Sequence, residues 1–247
     1  MVNIFYKNKY MKTLRKPSVI VLVVVLVCTK LYAQTADEIV SKHVAAIGGK
    51  TAIESVKSLY IESNVEIMGN DAPSTTWIIS GKAYKNEVTF NGSKIMNCVT
   101  DKGGWTINPM MGQSSAVAIP EDQLKTMKGQ INVGGPLYDY AAKGSKIELL
   151  GKDTADYKLK LTTSAGLDVT FYINMKTYYI DKTTSTVSAQ GQDMETTVTF
   201  SDYRKVDGGY VLNFGQQVTL PMYSLNITHK KVEVNKQIDP AIFEMPK

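Results

Sequence analysis

The apolar positions of the chain first repeat with the period of an α-helix. Thr35 and Glu38 have the spacing of a capping box, and Gly48-Gly49 supplies a left-handed stop. Between them, apolar residues recur three and four positions apart, at Ala36, Ile39, Val40, Val44 and Ile47. We therefore predict one amphipathic helix, followed by a second short helical turn over residues 52–56.

From Leu59 onward the period changes to two, which is typical of strands with one buried side. Tight turns such as Asn91-Gly92 separate the strands, so neighbouring strands must run antiparallel. A loss of phase predicts a bulge near residues 229–231. The predicted strands cover residues 59–67, 75–80, 82–90, 94–100, 105–108, 146–150, 157–163, 168–173, 178–182, 195–203, 210–219 and 224–234.

Residues 110–144 interrupt the strands and are predicted to form a helical insert. Pro120 and the acids after it precede lysines at 125 and 128, an order that suits a helix and its dipole. A second helix is expected over residues 137–142, ending at Gly144. The pattern thus predicts a mainly β fold in one domain, residues 34–247, with an insert that covers an antiparallel sheet.

The first 33 residues have the features of a secretory signal peptide. They hold six Lys and Arg residues, no acid, and a ten-residue apolar run that ends at Cys28, about half the length a membrane-spanning helix needs. We expect cleavage after Ala33 and a periplasmic protein. A lipid anchor on Cys28 is the alternative, which Val27 disfavours because lipoprotein processing prefers a small residue there.

Removing this leader changes the charge of the protein. The whole chain has 28 Lys and Arg against 23 Asp and Glu, and without the six cations of the leader it keeps 22 against 23. No basic surface remains to bind nucleic acid, so that partner is excluded. Cys98 is then the remaining cysteine, which precludes an intramolecular disulfide.

Motifs that carry chemistry are missing. The two histidines, His43 and His229, have no partner at metal-ligand spacing, and no serine lies in a nucleophile motif. Each histidine is interpreted as structural, and Cys98, inside a strand pattern, as a small buried hydrophobe. We therefore predict no enzyme activity, no metal and no cofactor.

Methionine and aromatic residues concentrate around the insert, and methionine adapts its shape to irregular apolar partners. A curved sheet covered by helices leaves an apolar space in which a ligand can bind. Strand parity alone does not decide which face is concave. The predicted ligand-binding residues are Trp77, Ile79, Trp105, Phe171, Phe200 and Ile227 on the concave face, and Met110, Met111, Leu124, Met127, Leu137 and Tyr138 on the insert.

Four segments resemble LolA-like outer-membrane lipoprotein-sorting proteins, in the form associated with Bacteroidetes-type bacteria. They are residues 36–49 (ADEIVSKHVAAIGG), 104–109 (GWTINP), 200–209 (FSDYRKVDGG) and 235–246 (NKQIDPAIFEMP). The resemblance implies an incomplete, strongly curved antiparallel β-barrel whose helices cover a cavity for lipoprotein acyl chains or another lipid. In LolA carriers an arginine on an early strand bonds to the lid, whereas this chain has no arginine between Ala33 and Tyr203.

These features predict a periplasmic carrier of lipids or lipoprotein acyl chains, for lipoprotein sorting or lipid transport. We expect a monomer, with membrane-bound donor and acceptor proteins as further partners. The alternatives are a non-catalytic accessory of an envelope hydrolase, another envelope accessory, or a surface domain that binds protein.

Overall fold

One antiparallel sheet of thirteen strands dominates the computed structural model, which describes residues 34–189 and 192–246. The strands are β1 (Ser58–Ile67), β2 (Asn70–Ile79), β3 (Ala83–Phe90), β4 (Ser93–Thr100), β5 (Gly104–Asn108), β6 (Gln113–Ala118), β7 (Lys146–Lys152), β8 (Asp156–Thr162), β9 (Asp168–Asn174), β10 (Ile180–Ala189), β11 (Gln192–Lys205), β12 (Val211–Thr219) and β13 (Ser224–Val234). The mainly β prediction is confirmed. The predicted signal peptide and its cleavage after Ala33 lie outside the described residues.

The first and the last strand of the sequence are neighbours in the middle of the sheet. It runs β6-β5-β4-β3-β2-β1-β13-β12-β11-β10-β9-β8-β7, so β1 pairs with β13, and the edges are β6 and β7. The sheet is therefore open rather than closed into a barrel. The expected bulge is confirmed: Glu62 pairs with Lys231 and Ser63 pairs with His229, which leaves Lys230 as the extra residue.

The helix α1 (Ala36–Ala46) has the predicted capping box, with Thr35 and Glu38 bonded reciprocally. The predicted helical turn after it is α2 (Gly49–Ser55). Gly48 between them has φ 112°, and a β-carbon there would lie 2.5 Å from the carbonyl oxygen of Gly209. Ile39 and Val40 of α1 pack on the sheet in a core cluster with Leu137, Tyr157, Leu159, Leu161, Phe171 and Ile173.

The insert joins the two edges of the sheet, because β6 and β7 are consecutive in sequence but lie at opposite edges. It contains α3 (Glu121–Met127), as predicted, and a 3-10 turn at Lys128–Ile131. Two expectations were wrong. Residues 113–118 form β6, so the insert starts later than residue 110, and residues 137–142 form turns rather than a helix because Asp139 has a left-handed φ of 49°.

The two faces of the sheet have different covers. The face that carries Leu59, Ile61, Ser63 and Val65 of β1, here called the inner face, packs against α1 and the insert. The opposite, outer face packs against the C-terminal segment, residues 235–246, through Ile238, Ile242 and Phe243. Among residues 34–189 and 192–246, no helix combines the length and apolar character needed to cross a bilayer.

Candidate functional site

Two cavities lie side by side on the inner face. The first has a volume of about 450 Å³ and is lined by Leu59, Ile61, Ser63, Val65, Ile67, Ser74, Thr76, Ile78, Tyr84, Asn86, Val88, Ile95, Asn132, Val133, Leu212, Gln216, Leu225, Ile227 and His229. The second has a volume of about 350 Å³ and is lined by His43, Ile47, Val133, Gly134, Gly135, Pro136, Val169, Phe171, Ile180, Thr183, Phe200, Tyr203, Tyr210, Val211, Leu212 and Asn213. Both volumes lie within the range of small-molecule sites.

The insert forms the boundary between the two cavities. Val133 of the insert and Leu212 of β12 line both of them. Residues 132–136 therefore run along the inner face with one cavity on each side.

Three hydrogen bonds to the backbone carbonyls of residues 131, 133 and 135 hold this part of the insert. The amide of Gly81 donates to the carbonyl of Ile131 at 2.8 Å, the Tyr210 hydroxyl donates to the carbonyl of Val133 at 2.7 Å, and the Lys143 ammonium donates to the carbonyl of Gly135 at 2.9 Å. Burial raises the pKa of Tyr210 to about 12, so its hydroxyl stays protonated and remains a donor at neutral pH. Tyr210 is thus a direct tie between the sheet and the insert.

Replacing Tyr210 by Phe should lower the free energy of unfolding by about 1–3 kcal/mol, because the buried carbonyl of Val133 then has no donor. Urea denaturation followed by circular dichroism measures the change. Tyr223→Phe is the control: Tyr223 is exposed, and its substitution should change stability by less than about 0.5 kcal/mol. Equal stability of the two variants would show that the tie between Tyr210 and Val133 is not formed in solution.

A few polar side chains interrupt the apolar floor of the first cavity. Ser63 Oγ and His229 Nδ1 lie 2.8 Å apart across β1 and β13, and Asn86 Nδ2 donates to the hydroxyls of Ser74 and Thr76, at 2.9 Å in both cases. Burial lowers the pKa of His229 to about 4, so the imidazole is neutral at neutral pH.

These groups do not form a catalytic or metal centre. Within residues 34–189 and 192–246, no carboxylate bonds to His229, so its contact with Ser63 is not extended to an acid as in a triad. No group of His, Cys, Asp and Glu in the described part of the chain could hold a metal ion. His43 lies in the second cavity wall, where its Nδ1 donates to the carbonyl of Tyr178 at 2.9 Å and burial lowers its pKa. It fits the predicted structural role.

The structure divides the predicted concave-face residues between the two faces. Phe171, Phe200 and Ile227 line the cavities. Trp77, Ile79 and Trp105 instead lie on the outer face, packed with the C-terminal segment. The predicted position of these three residues was wrong. On β2 the alternate residues Thr76 and Ile78 line the cavity, a shift of one position along the strand, and on β5 Trp105 pairs with Cys98, which belongs to the same outer cluster.

The insert residues predicted to contact the ligand also lie in different places. Met110 and Met111 belong to a 3-10 turn between β5 and β6, where they are 58% and 71% exposed, so their predicted position on the insert was wrong. Leu124 and Met127 pack against β3 and β4 in the core beneath α3. Leu137 is buried against α1 and the sheet, and the Tyr138 hydroxyl donates to Glu54 at 2.9 Å. None of these six side chains is among those that line the two cavities.

Sequence reasoning missed Ser63, Thr76, Asn86 and His229. A signal for Ser63 was available, since it shares the apolar parity of Leu59, Ile61 and Val65 in β1. A polar residue at an apolar position of a strand needs a partner when it is buried. Its partner, His229, lies 166 residues away, and the pairing of β1 with β13 brings the two together.

Comparison with known proteins gives structural matches but no sequence match. No protein-family model matches the chain, and no curated protein matches it. A LolA superfamily protein from Nitrosomonas europaea superposes with a TM-score of 0.57 at 12% identity, covering 86% of this chain and 98% of that one. A DUF1329 family protein from Desulfovibrio piger gives a TM-score of 0.57 at 13% identity, with coverage of 85% and 98%.

A third structure carries a functional description. It is a domain assigned to outer-membrane lipoprotein-sorting proteins, from Vibrio parahaemolyticus, which superposes with a TM-score of 0.55 at 12% identity and covers 83% of this chain and 94% of that one. At these identities the likeness concerns the fold. Together with the open sheet and its helical cover, these matches support the resemblance predicted from the sequence: the chain has a LolA-like fold.

Proposed function

We propose that this chain is an exported carrier that binds acyl chains of lipoproteins or other lipids on the inner face of its sheet. The observation that carries the proposal is the pair of adjoining cavities, which have mainly apolar walls and lie on either side of one segment of the insert. A ligand with a long apolar chain would lie along both cavities when residues 132–136 move. Its burial would release water from apolar surface, which drives binding.

The chemistry of the cavity walls supports an apolar ligand over a charged one. Among the described residues, those lining the two cavities include no Asp, Glu, Lys or Arg, so a charged group would be buried without a counterion. The fold is shared with a domain assigned to outer-membrane lipoprotein-sorting proteins. A role as carrier rather than enzyme agrees with both points.

Export and partners complete the proposal. The leader of residues 1–33 would direct the chain to the periplasm, with cleavage after Ala33. A periplasmic carrier of this kind would act as a monomer and exchange its ligand with membrane-bound donor and acceptor proteins.

Binding of 1,6-diphenyl-1,3,5-hexatriene, a hydrocarbon that becomes fluorescent in apolar surroundings, tests the proposal on the mature chain. Thr76→Trp should weaken the affinity by about tenfold or more, because the indole would occupy the first cavity. Thr75→Trp is the matched control. Thr75 is the neighbouring residue on β2 and points to the outer face, so this variant should bind as the wild type does.

Two results would contradict the proposal. The first is a wild-type protein that gives no fluorescence increase with the probe while its circular dichroism and cooperative melting show that it is folded. The second is an equal loss of affinity in Thr75→Trp and Thr76→Trp, which would place the probe elsewhere on the protein.

A further inference from the structure

The Ser63–His229 pair is the most unusual feature of the first cavity. The two residues are direct cross-strand partners on β1 and β13, and each lies next to the bulge at Lys230. Ser63 is 8% exposed, and its Oγ lies 2.8 Å from His229 Nδ1. The bulge thus fixes two polar side chains against each other on a mainly apolar floor, whose other polar groups include Asn86, bonded to Ser74 and Thr76.

The surroundings leave the other imidazole nitrogen available to a ligand. His229 lines the cavity with apolar neighbours that include Ile61, Val65 and Ile227, and the ring of Phe214 lies edge-on at 6.1 Å between centroids. His229 Nε2 has no hydrogen bond to any other residue in the described part of the chain. A polar atom in such surroundings gains from a partner that the ligand supplies.

The pair can offer either a donor or an acceptor to that ligand. Burial lowers the pKa of His229 to about 4, so the ring carries one N–H at neutral pH. When Ser63 donates to Nδ1, the proton lies on Nε2, which can donate to a carbonyl oxygen. When Ser63 accepts from Nδ1–H, Nε2 can accept from a hydroxyl.

A charged ligand group does not fit this position. A carboxylate would need a cation, and no Lys or Arg is among the described residues that line the cavity. An ammonium group would likewise find no carboxylate. An uncharged oxygen fits, because it needs one hydrogen bond and no counterion.

We propose that the Ser63–His229 pair is a binding site for one uncharged oxygen, a hydroxyl or an ester carbonyl, of an otherwise apolar ligand. This inference rests on the proposed function, since it assumes that the first cavity holds the apolar part. It narrows the ligand class to neutral lipids that carry such an oxygen within or at the end of the chain. Free fatty acid anions would be excluded from this position.

Displacement of diphenylhexatriene by 1-dodecanol, methyl laurate, laurate and dodecane tests the pair. His229→Phe keeps a planar ring but removes the nitrogen atoms, so the inhibition constants of dodecanol and methyl laurate should rise by about two- to tenfold, the range for one neutral hydrogen bond. The affinities of diphenylhexatriene and dodecane should stay unchanged or improve. Laurate should displace the probe more weakly than dodecanol at pH 8.

Two further variants separate binding from structure. His229→Gln introduces a side-chain amide that can donate and accept hydrogen bonds. This variant should therefore bind dodecanol more tightly than His229→Phe does. Thr228→Phe changes the adjacent, exposed residue on the outer side of β13 and should have no effect. Thermal melting checks that each variant is folded. If His229→Phe does not fold, His229→Gln is compared with wild type instead.

The outcomes distinguish this inference from the proposed function. If wild type binds diphenylhexatriene but His229→Phe and wild type respond equally to dodecanol, the cavity holds an apolar ligand and the polar site is wrong. An equal loss for dodecanol and dodecane would also overturn the polar site. If folded wild type does not bind diphenylhexatriene, both proposals fail.

Discussion

Replacing Leu124 by Ala should lower the free energy of unfolding by about 2–5 kcal/mol, as expected for truncation of a buried leucine. Leu124 of α3 is 7% exposed and packs with Val99, Ile119 and Ile131. A β-carbon at Gly104 would lie 2.9 Å from its δ1 methyl, so the glycine at the start of β5 allows this close approach. The substitution would leave a void between the insert and the sheet. Urea denaturation measures the loss.

Met110→Ala is the control for Leu124→Ala. Met110 is 58% exposed in the turn after β5, so its truncation should change stability by less than about 0.5 kcal/mol. Both variants should bind diphenylhexatriene as wild type does, because neither side chain lines a cavity. If Leu124→Ala kept its stability but lost the probe, Leu124 would contact the ligand, as the sequence pattern first indicated.

The elements of this fold could be predicted from the sequence because their signals are local. The capping box at Thr35, the period-two pattern of β1 and the phase change near Lys230 each involve residues close together in the chain, and each was confirmed. The failure at residues 137–142 is also local. Asp139 adopts a left-handed conformation, which interrupts a right-handed helix at that position.

The cavity walls could not be predicted in the same way, because they depend on which face of each strand is covered. Trp77 and Thr76 are neighbours on β2, and hydrophobicity favours the tryptophan as the inward residue. The C-terminal segment decides otherwise, since it covers the outer face and provides Trp77 with apolar partners there. The hydrophobic pattern of a single strand does not show that residues 235–246 pack against one of its faces.

The hydrogen bond that attaches the insert to the sheet also depends on residues far apart in the sequence. The absence of an arginine between Ala33 and Tyr203 indicated that an arginine latch of the LolA type is missing. The structure instead ties the insert through Tyr210, which donates to the carbonyl of Val133. A bond from a side chain to a backbone carbonyl 77 residues away leaves no residue-type signal at the acceptor, so it could be found only in the folded molecule.

Phe243→Ala should destabilise the protein by about 3–5 kcal/mol and expose Cys98 to alkylation. Phe243 is 6% exposed in a cluster with Ala83, Cys98 and Trp105 on the outer face. Its carbonyl accepts hydrogen bonds from Trp105 Nε1 at 2.9 Å and from the Cys98 thiol at 3.3 Å. Loss of the phenyl ring removes the apolar contact that holds the C-terminal segment against these strands.

Iodoacetamide labelling of the mature chain under native conditions measures this exposure, because Cys98 is its remaining cysteine. Burial raises the pKa of Cys98 to about 11, so little reactive thiolate exists at pH 8 in the wild type. Release of the segment lowers that pKa and opens the thiol to solvent, and the labelling rate should rise by about tenfold or more. Met245→Ala, at an exposed position of the same segment, should label at the wild-type rate. Labelling of Phe243→Ala at the wild-type rate would show that the C-terminal segment does not shield Cys98.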